Sequence, residues 1–139
     1  MEIPYRIIQI ITQAFEQHPD LHVAGIATQV KSEYSFAVNV VEHRVRCISK
    51  YIYVQGENEL LKLELVCIFE VEKEAFENLK EDKVLTIPVE FLRYMATICV
   101  GTARGDIHAR TEGTVLADIV LPPINLVETI KEPFILQES

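Results

Sequence analysis

IPVEFLRYMATICVGTARGD at residues 87–106 and LPPINL at residues 121–126 decide how this chain folds. Pro88 suits the first turn of a helix, where the amide it lacks would have no partner. From there Phe91, Leu92, Met95, Ile98, Cys99 and Thr102 recur at helical spacing and form one face to cover a sheet. A second stripe, Ala96, Val100, Ala103 and Ile107, runs round the side, so this helix must be covered twice. Gly101 and Gly105 remove side chains from adjacent turns, and in a helix interior each costs about 1 kcal/mol relative to alanine. They mark either a break near Gly105 or close packing against a partner helix. The second reading predicts an oligomer interface of Ala96, Val100, Gly101, Ala103, Gly105 and Ile107.

Beyond the helix, residues 114–121 are apolar and read as an extended return segment that Pro122-Pro123 halts. Asn125 with Glu128 three residues on is an N-terminal helix signature for a short last helix carrying Leu126, Val127 and Ile130. Pro133 ends it, and the tail is expected to be loose.

Before the helix the pattern changes to period 2. Leu61, Leu63, Leu65, Cys67, Phe69 and Val71 fall on one face and Lys62, Glu64, Glu70 and Glu72 on the other, the mark of a half-buried strand. The turn at residues 55–59 and the Val, Ile and Tyr content of residues 44–54 make a hairpin with it. Residues 21–40 read as one long or broken strand. Tyr5 to Phe15 is ambiguous, since Ile8, Ile11 and Phe15 also suit a helix, but four isoleucines in five residues favour a strand. Residues 73–83 look like a charged connector pinned by Ala75, Phe76 and Leu79. The expected architecture is α+β: a four-stranded antiparallel sheet, a meander, with a long helix and a short C-terminal helix on one face, in a single domain over residues 1–139.

Composition excludes several classes. Three widely spaced cysteines, Cys47, Cys67 and Cys99, show no disulfide framework and no zinc spacing. The first residues lack the basic region of a signal peptide, which makes the cytoplasm the default compartment, and no apolar run is long enough to span a membrane. The net charge is -8. Residues 1–55 carry 5 basic and 5 acidic groups and residues 56–90 carry 4 and 10, so the acidity is regional. It repels phosphate backbones, which argues against nucleic acid and leaves basic proteins as partners.

Little here reads as catalysis. His108 and Glu112 are four apart, which allows an acid/base or metal pair, but no further ligand lies near in sequence. No phosphate loop, nucleophile elbow or cofactor box is present, so no catalytic, cofactor or metal residue is assigned.

The order of elements resembles SecB, the protein-export chaperone family, across nearly the whole chain. The matching residues are Ile87-Pro88 opening the helix, Ala103-Arg104-Gly105 near its end, and Pro123 and Asn125 at the entry to the last helix. The segment from Arg104 to Leu121 is longer than the family's, and the last helix is shorter. The resemblance implies a homotetramer or dimer that binds unfolded polypeptides in apolar grooves and docks an export motor through an acidic sheet face. On this chain the groove would use Phe91, Tyr94 and Leu121, and the acidic face Glu64, Glu70 and Glu72. The function expected is a non-enzymatic holdase without a cofactor; the alternative is an assembly module of the same fold serving one dedicated partner.

Overall fold

A computed structural model of the chain describes residues 2–137; Met1, Glu138 and Ser139 lie outside the described residues. Four long strands form one antiparallel sheet: β1 (Tyr5–Gln17), β2 (Gln29–Asn39), β3 (Arg44–Gln55) and β4 (Asn58–Val71). Their spatial order is β1-β4-β3-β2. The sheet is therefore not a simple meander: β2, β3 and β4 are joined by hairpins, and β1 crosses to pair with β4, which makes a Greek key. The reason lies at residues 18–28, which cross the sheet end and do not form a hairpin, so β2 begins at Gln29 and not near Leu21.

The strand from Leu61 to Val71 buries its alternate residues as its pattern demands; Leu61, Leu63, Leu65, Cys67 and Phe69 have no exposed surface. On the other face Val66 sits between Ile11 of β1 and Ile48 of β3, and those neighbours shield it without a covering layer. β1 departs from simple alternation. Bulges between Ile7 and Gln9 and between Thr12 and Ala14 make its inward positions Tyr5, Ile7, Ile10, Thr12, Phe15 and Gln17. Contacts to the helix layer fix that register: Tyr5 meets Phe91 edge-on with centroids 5.0 Å apart, Thr12 bonds Asp106 at 3.0 Å, and Gln17 donates to the Arg110 carbonyl at 3.0 Å.

After the sheet, residues 73–83 are more than a connector. A short α1 (Lys73–Glu77) buries Phe76, and β5 (Lys80–Glu81) and β6 (Val84–Ile87) open a second, three-stranded sheet. Its third strand comes after Pro133: β7 (Phe134–Gln137) pairs with β6, so residues 134–137 are ordered and not loose. Phe134 and Leu136 turn towards the core there, and that burial outweighs terminal fraying.

The long helix, α2 (Val89–Thr111), starts directly after Pro88 and lies across β3 and β4. It runs unbroken through Gly101 and Gly105. After Gly113 in the left-handed region and a 3-10 turn at Val115–Asp118, the chain returns along one flank of α2 to the short α3 (Leu126–Thr129), whose Asn125 side chain accepts the Glu128 amide hydrogen. Two arginines of α2 hold this return: Arg104 donates to the carbonyls of Leu121 at 2.7 Å and Pro122 at 3.1 Å, and Arg93 to those of Ile130 at 2.9 Å and Val127 at 3.3 Å.

Deleting residues 134–139 should lower stability by about 2–4 kcal/mol, from half-burial of one phenylalanine and one leucine and from the lost ladder bonds. Urea unfolding of the truncated chain measures it; a loss under about 0.5 kcal/mol, the scale of a neutral surface change, would mean that the tail is not part of the fold.

Candidate functional site

The inner face of α2 is spent on the sheet, and the geometry of its other faces decides what remains. Phe91, Leu92, Met95, Ala96, Cys99, Val100, Ala103 and Ile107 are all buried within the chain. Among them are four members of the expected oligomer interface, Ala96, Val100, Ala103 and Ile107. The return segment covers that flank with Leu116 and Leu121, so these side chains need no partner. Gly101 and Gly105 alone of that set are exposed, and nothing lies within 4 Å of where a Cβ would stand on either. With Tyr94 and Ile98 they are spaced i, i+4, i+7 and i+11 and make the outward ridge of the helix.

The three residues expected to share a groove are split. Phe91 and Tyr94 line a cavity of about 900 Å³ with Glu2, Ile3, Pro4, Tyr5, Pro88 and Glu90, where the start of β1 meets the start of α2. Tyr94 is 61% exposed there, while Phe91 forms the floor against Tyr5. Leu121 is more than a helical turn away, buried beside a smaller cleft of about 310 Å³ between Gly101, Gly105 and His108 of α2 and Ile119 and Val120 of the return segment. A further cleft of about 330 Å³ lies between Tyr34 and Phe36 of β2 and residues 129–134. The contribution of residues 2–5 to the first cavity was not visible from helical spacing. It follows only once β1 is placed beside α2.

Between the first cavity and the middle of β1 runs a ledge of uncovered apolar side chains. Ile7 and Ile10 point to the helix side of the sheet and are 38% and 54% exposed, because α2 covers β3 and β4 but not the outermost strand. Exposed apolar side chains beside a cavity are a feature that interaction surfaces share.

Glu64 and Glu70 share the outer face of β4, but basic residues stand beside them there. Glu70 is paired with Arg6 at 2.9 Å and stands opposite Arg44, and Glu64 stands opposite Lys50, which in turn stands opposite Glu33. Charges alternate in rows across the outer sheet surface, and Glu72 lies beyond β4, beside the basic residues Arg6, His43 and Lys73. His108 and Glu112 are not a pair on one helix face: Glu112 has left the helix, with ψ at 134°. Among the described residues no cluster of three or more His, Cys, Asp or Glu is arranged to hold a metal ion, and no helix is long and apolar enough to cross a membrane.

No family model matches the sequence, and no curated protein matches it. Among solved structures the chain is similar to the Mycobacterium tuberculosis Rv1957 SecB-like chaperone, solved in complex with a ChAD peptide from the Rv1956 HigA1 antitoxin, at 14% identity and a TM-score of 0.57 over 87% of this chain and 90% of that one. The fold is SecB-like. A protein of unknown function from Streptococcus agalactiae is also similar, at 6% identity and a TM-score of 0.42 over 90% of this chain and 99% of that one. In this SecB-like fold the sheet, the long helix and the return segment occur in the order expected from Ile87-Pro88 and Pro123 to Asn125.

The return segment is also tied to the sheet. The Tyr53 hydroxyl of β3 donates to the Ile119 carbonyl at 3.3 Å, and burial pushes that hydroxyl up to about 12, against the lowering pull of Arg104. Below pH 10 the group is protonated whether folded or not. Between pH 10 and about 12 the unfolded chain loses its proton first, so stability falls across that window, by at most about 2–3 kcal/mol for a shift of this size. Tyr53→Phe should flatten that part of the alkaline stability loss; thermal melts at several pH values from neutral to 12 would show an unchanged slope if the hydroxyl is not buried against the return segment.

Proposed function

We propose that the chain is a non-enzymatic, SecB-like chaperone that captures apolar segments of unfolded polypeptides at the cavity and ledge formed by Tyr5, Ile7, Ile10, Phe91 and Tyr94. The observation that carries this is the uncovered apolar ledge opening onto the cavity of about 900 Å³. Such a surface binds by area: two perpendicular rings and two branched side chains accept many apolar residues without demanding a hydrogen-bond pattern. Glu2 and Glu90 at the rim keep the site wetted when it is empty.

A second reading is a module with one dedicated partner. The similar Mycobacterium chaperone was solved with a peptide from an antitoxin, and binding of one such segment is what a dedicated module would do. Docking of an export motor through Glu64, Glu70 and Glu72 has less support, since neighbouring bases neutralise two of the three.

Fluorescence-anisotropy titration of several unrelated apolar peptides at low and high salt distinguishes the two. General capture predicts binding in the order of tens of micromolar or tighter that persists at high salt, because screening removes exposed charge pairs and leaves apolar burial. Tyr94→Ser should weaken all of the peptides together. Binding of none defeats the holdase, and binding of one alone gives the dedicated module.

Self-association is proposed along the ridge of Tyr94, Ile98, Gly101 and Gly105, where the absent side chains let a second backbone approach. Gly101→Leu should then reduce the mass measured by light scattering by half or more, whereas an isolated helix surface would gain slight helicity and keep its mass. A wild-type monomer would defeat this interface.

A further inference from the structure

Alternation along β3 buries Val45, Cys47 and Ser49 under α2 and turns Arg44, Arg46, Ile48 and Lys50 to the opposite face of the sheet, where none of them is buried. Cross-strand neighbours set the local chemistry there. Arg44 stands between Asn39 of β2 and Glu70 of β4, Arg46 between Ala37 and Ile68, and Ile48 between Ser35 and Val66. Arg44 and Arg46 line a cleft of about 230 Å³ whose other walls are Ala37, Val38, Asn39 and Ile68. Two guanidinium groups thus share a small space with an apolar floor.

The arginines of this face are satisfied to different degrees. Arg6 gives both its Nε, at 3.2 Å, and its Nη2, at 2.9 Å, to Glu70. Arg44 gives Nη1 to Glu42 at 2.7 Å, while its Nε is shielded from water and has no acceptor. The Arg44–Glu42 pair is open to solvent, so it stabilises little and can be exchanged for a better one. Among the described residues Arg46 is exposed and has no hydrogen-bond or ion-pair partner. Arg6 with Glu70 and Arg44 with Glu42 cancel, which leaves the charge of Arg46 unopposed on a chain that is otherwise acidic. A shielded donor without an acceptor is costly, and a carboxylate removes that cost by accepting from Nε and Nη of one guanidinium as a fork. The apolar floor of Ile68 and Ala37 offers nothing to the remaining oxygens of a phosphate, and the net charge of -8 repels a dianion more than a single carboxylate.

We propose that this cleft on the outer sheet face docks an acidic segment of a partner protein that also carries apolar side chains. One carboxylate takes the Nε and Nη of Arg44 in place of Glu42, with Arg46 beside it, and the neighbouring apolar side chain rests on Ala37, Ile48 and Ile68. The sign is opposite to that of the motor-docking face implied by Glu64, Glu70 and Glu72, because Arg6 and Lys50 stand against two of those carboxylates while Arg46 stands against none. Complementary charge of this kind selects a partner more than it adds affinity. The site is separate from the cavity at Tyr5 and Phe91, which lies on the helix side of the sheet, so both can be filled at once.

The test is fluorescence anisotropy of a fluorescein-labelled peptide of alternating leucine and glutamate, titrated with the full chain beside its leucine/lysine and serine/glutamate counterparts. The leucine/glutamate peptide should bind about tenfold or more tightly than either, with its advantage over the lysine peptide shrinking as salt rises. Arg46→Gln, at an exposed position, should weaken that binding about tenfold with the melting temperature unchanged. Arg44→Lys keeps the charge and loses the fork, and should weaken it too. Lys131→Gln, which removes the same charge beside the cleft on the helix side, and Tyr94→Ser at the cavity should both leave it in place. Equal binding of the glutamate and lysine peptides, or affinity unchanged in either arginine variant, overturns the proposal. So does equal binding of the serine/glutamate peptide, which would reduce the cleft to a simple anion site, or loss of binding in Lys131→Gln or Tyr94→Ser. A fall in particle mass for Arg46→Gln also overturns it, since the occupant would then be the acidic surface of a second copy of this chain.

Discussion

Everything in this molecule depends on how closely α2 can lie on β3 and β4. The side chain at the centre of the contact is small: Cys99 has no exposed surface, and beneath it Cys47 and Cys67 stand opposite each other in the sheet. Cys99 lies against both. Contact with Cys99 and burial together push the Cys67 thiol far above its usual range, so it stays protonated and serves as a small apolar filler. Larger residues at these positions would lift the helix, since packed interiors do not absorb extra volume without strain.

Once α2 is seated, the rest of its surface is divided by what else the chain brings to it. One flank is taken by the return segment, which Arg93 and Arg104 hold by its carbonyls. The other flank faces β1, and because the helix is centred on the inner strands, the outermost strand keeps its isoleucines uncovered. The apolar surface available for recognition is thus a geometric consequence of a four-stranded sheet under a single helix. β1 enters next to β4 only because residues 18–28 cross the sheet end.

Much of this was legible from spacing. The alternation of Leu61 to Val71, the helix opened by Pro88 and the cap at Asn125 all depend on local physics, and each stands where its pattern put it. The N-terminal segment read as half strand and half helix because its two bulges space the inward residues by alternate steps of two and three, giving a repeat between the two periods. The partner of β1 was not legible, since antiparallel pairing with β4 or β2 satisfies the same hydrophobic pattern. The ordering of the tail was hidden likewise: Phe134 and Leu136 form too short a run to read as a strand until β6 is there to pair with them. The second stripe of α2 was correctly seen as needing cover, but a sequence cannot say whether cover comes from a partner or from residues 114–121 of the same chain.

The central claim is that apolar peptide is taken up where the start of β1 meets the start of α2. Amide chemical-shift mapping during titration with an apolar peptide tests it most directly. The account predicts that the shifts cluster at Tyr5, Ile7, Ile10, Phe91 and Tyr94, while residues 44–55 of the sheet stay in place. Shifts confined to the cleft at Ile119 to Leu121, or spread evenly over the chain, would contradict it.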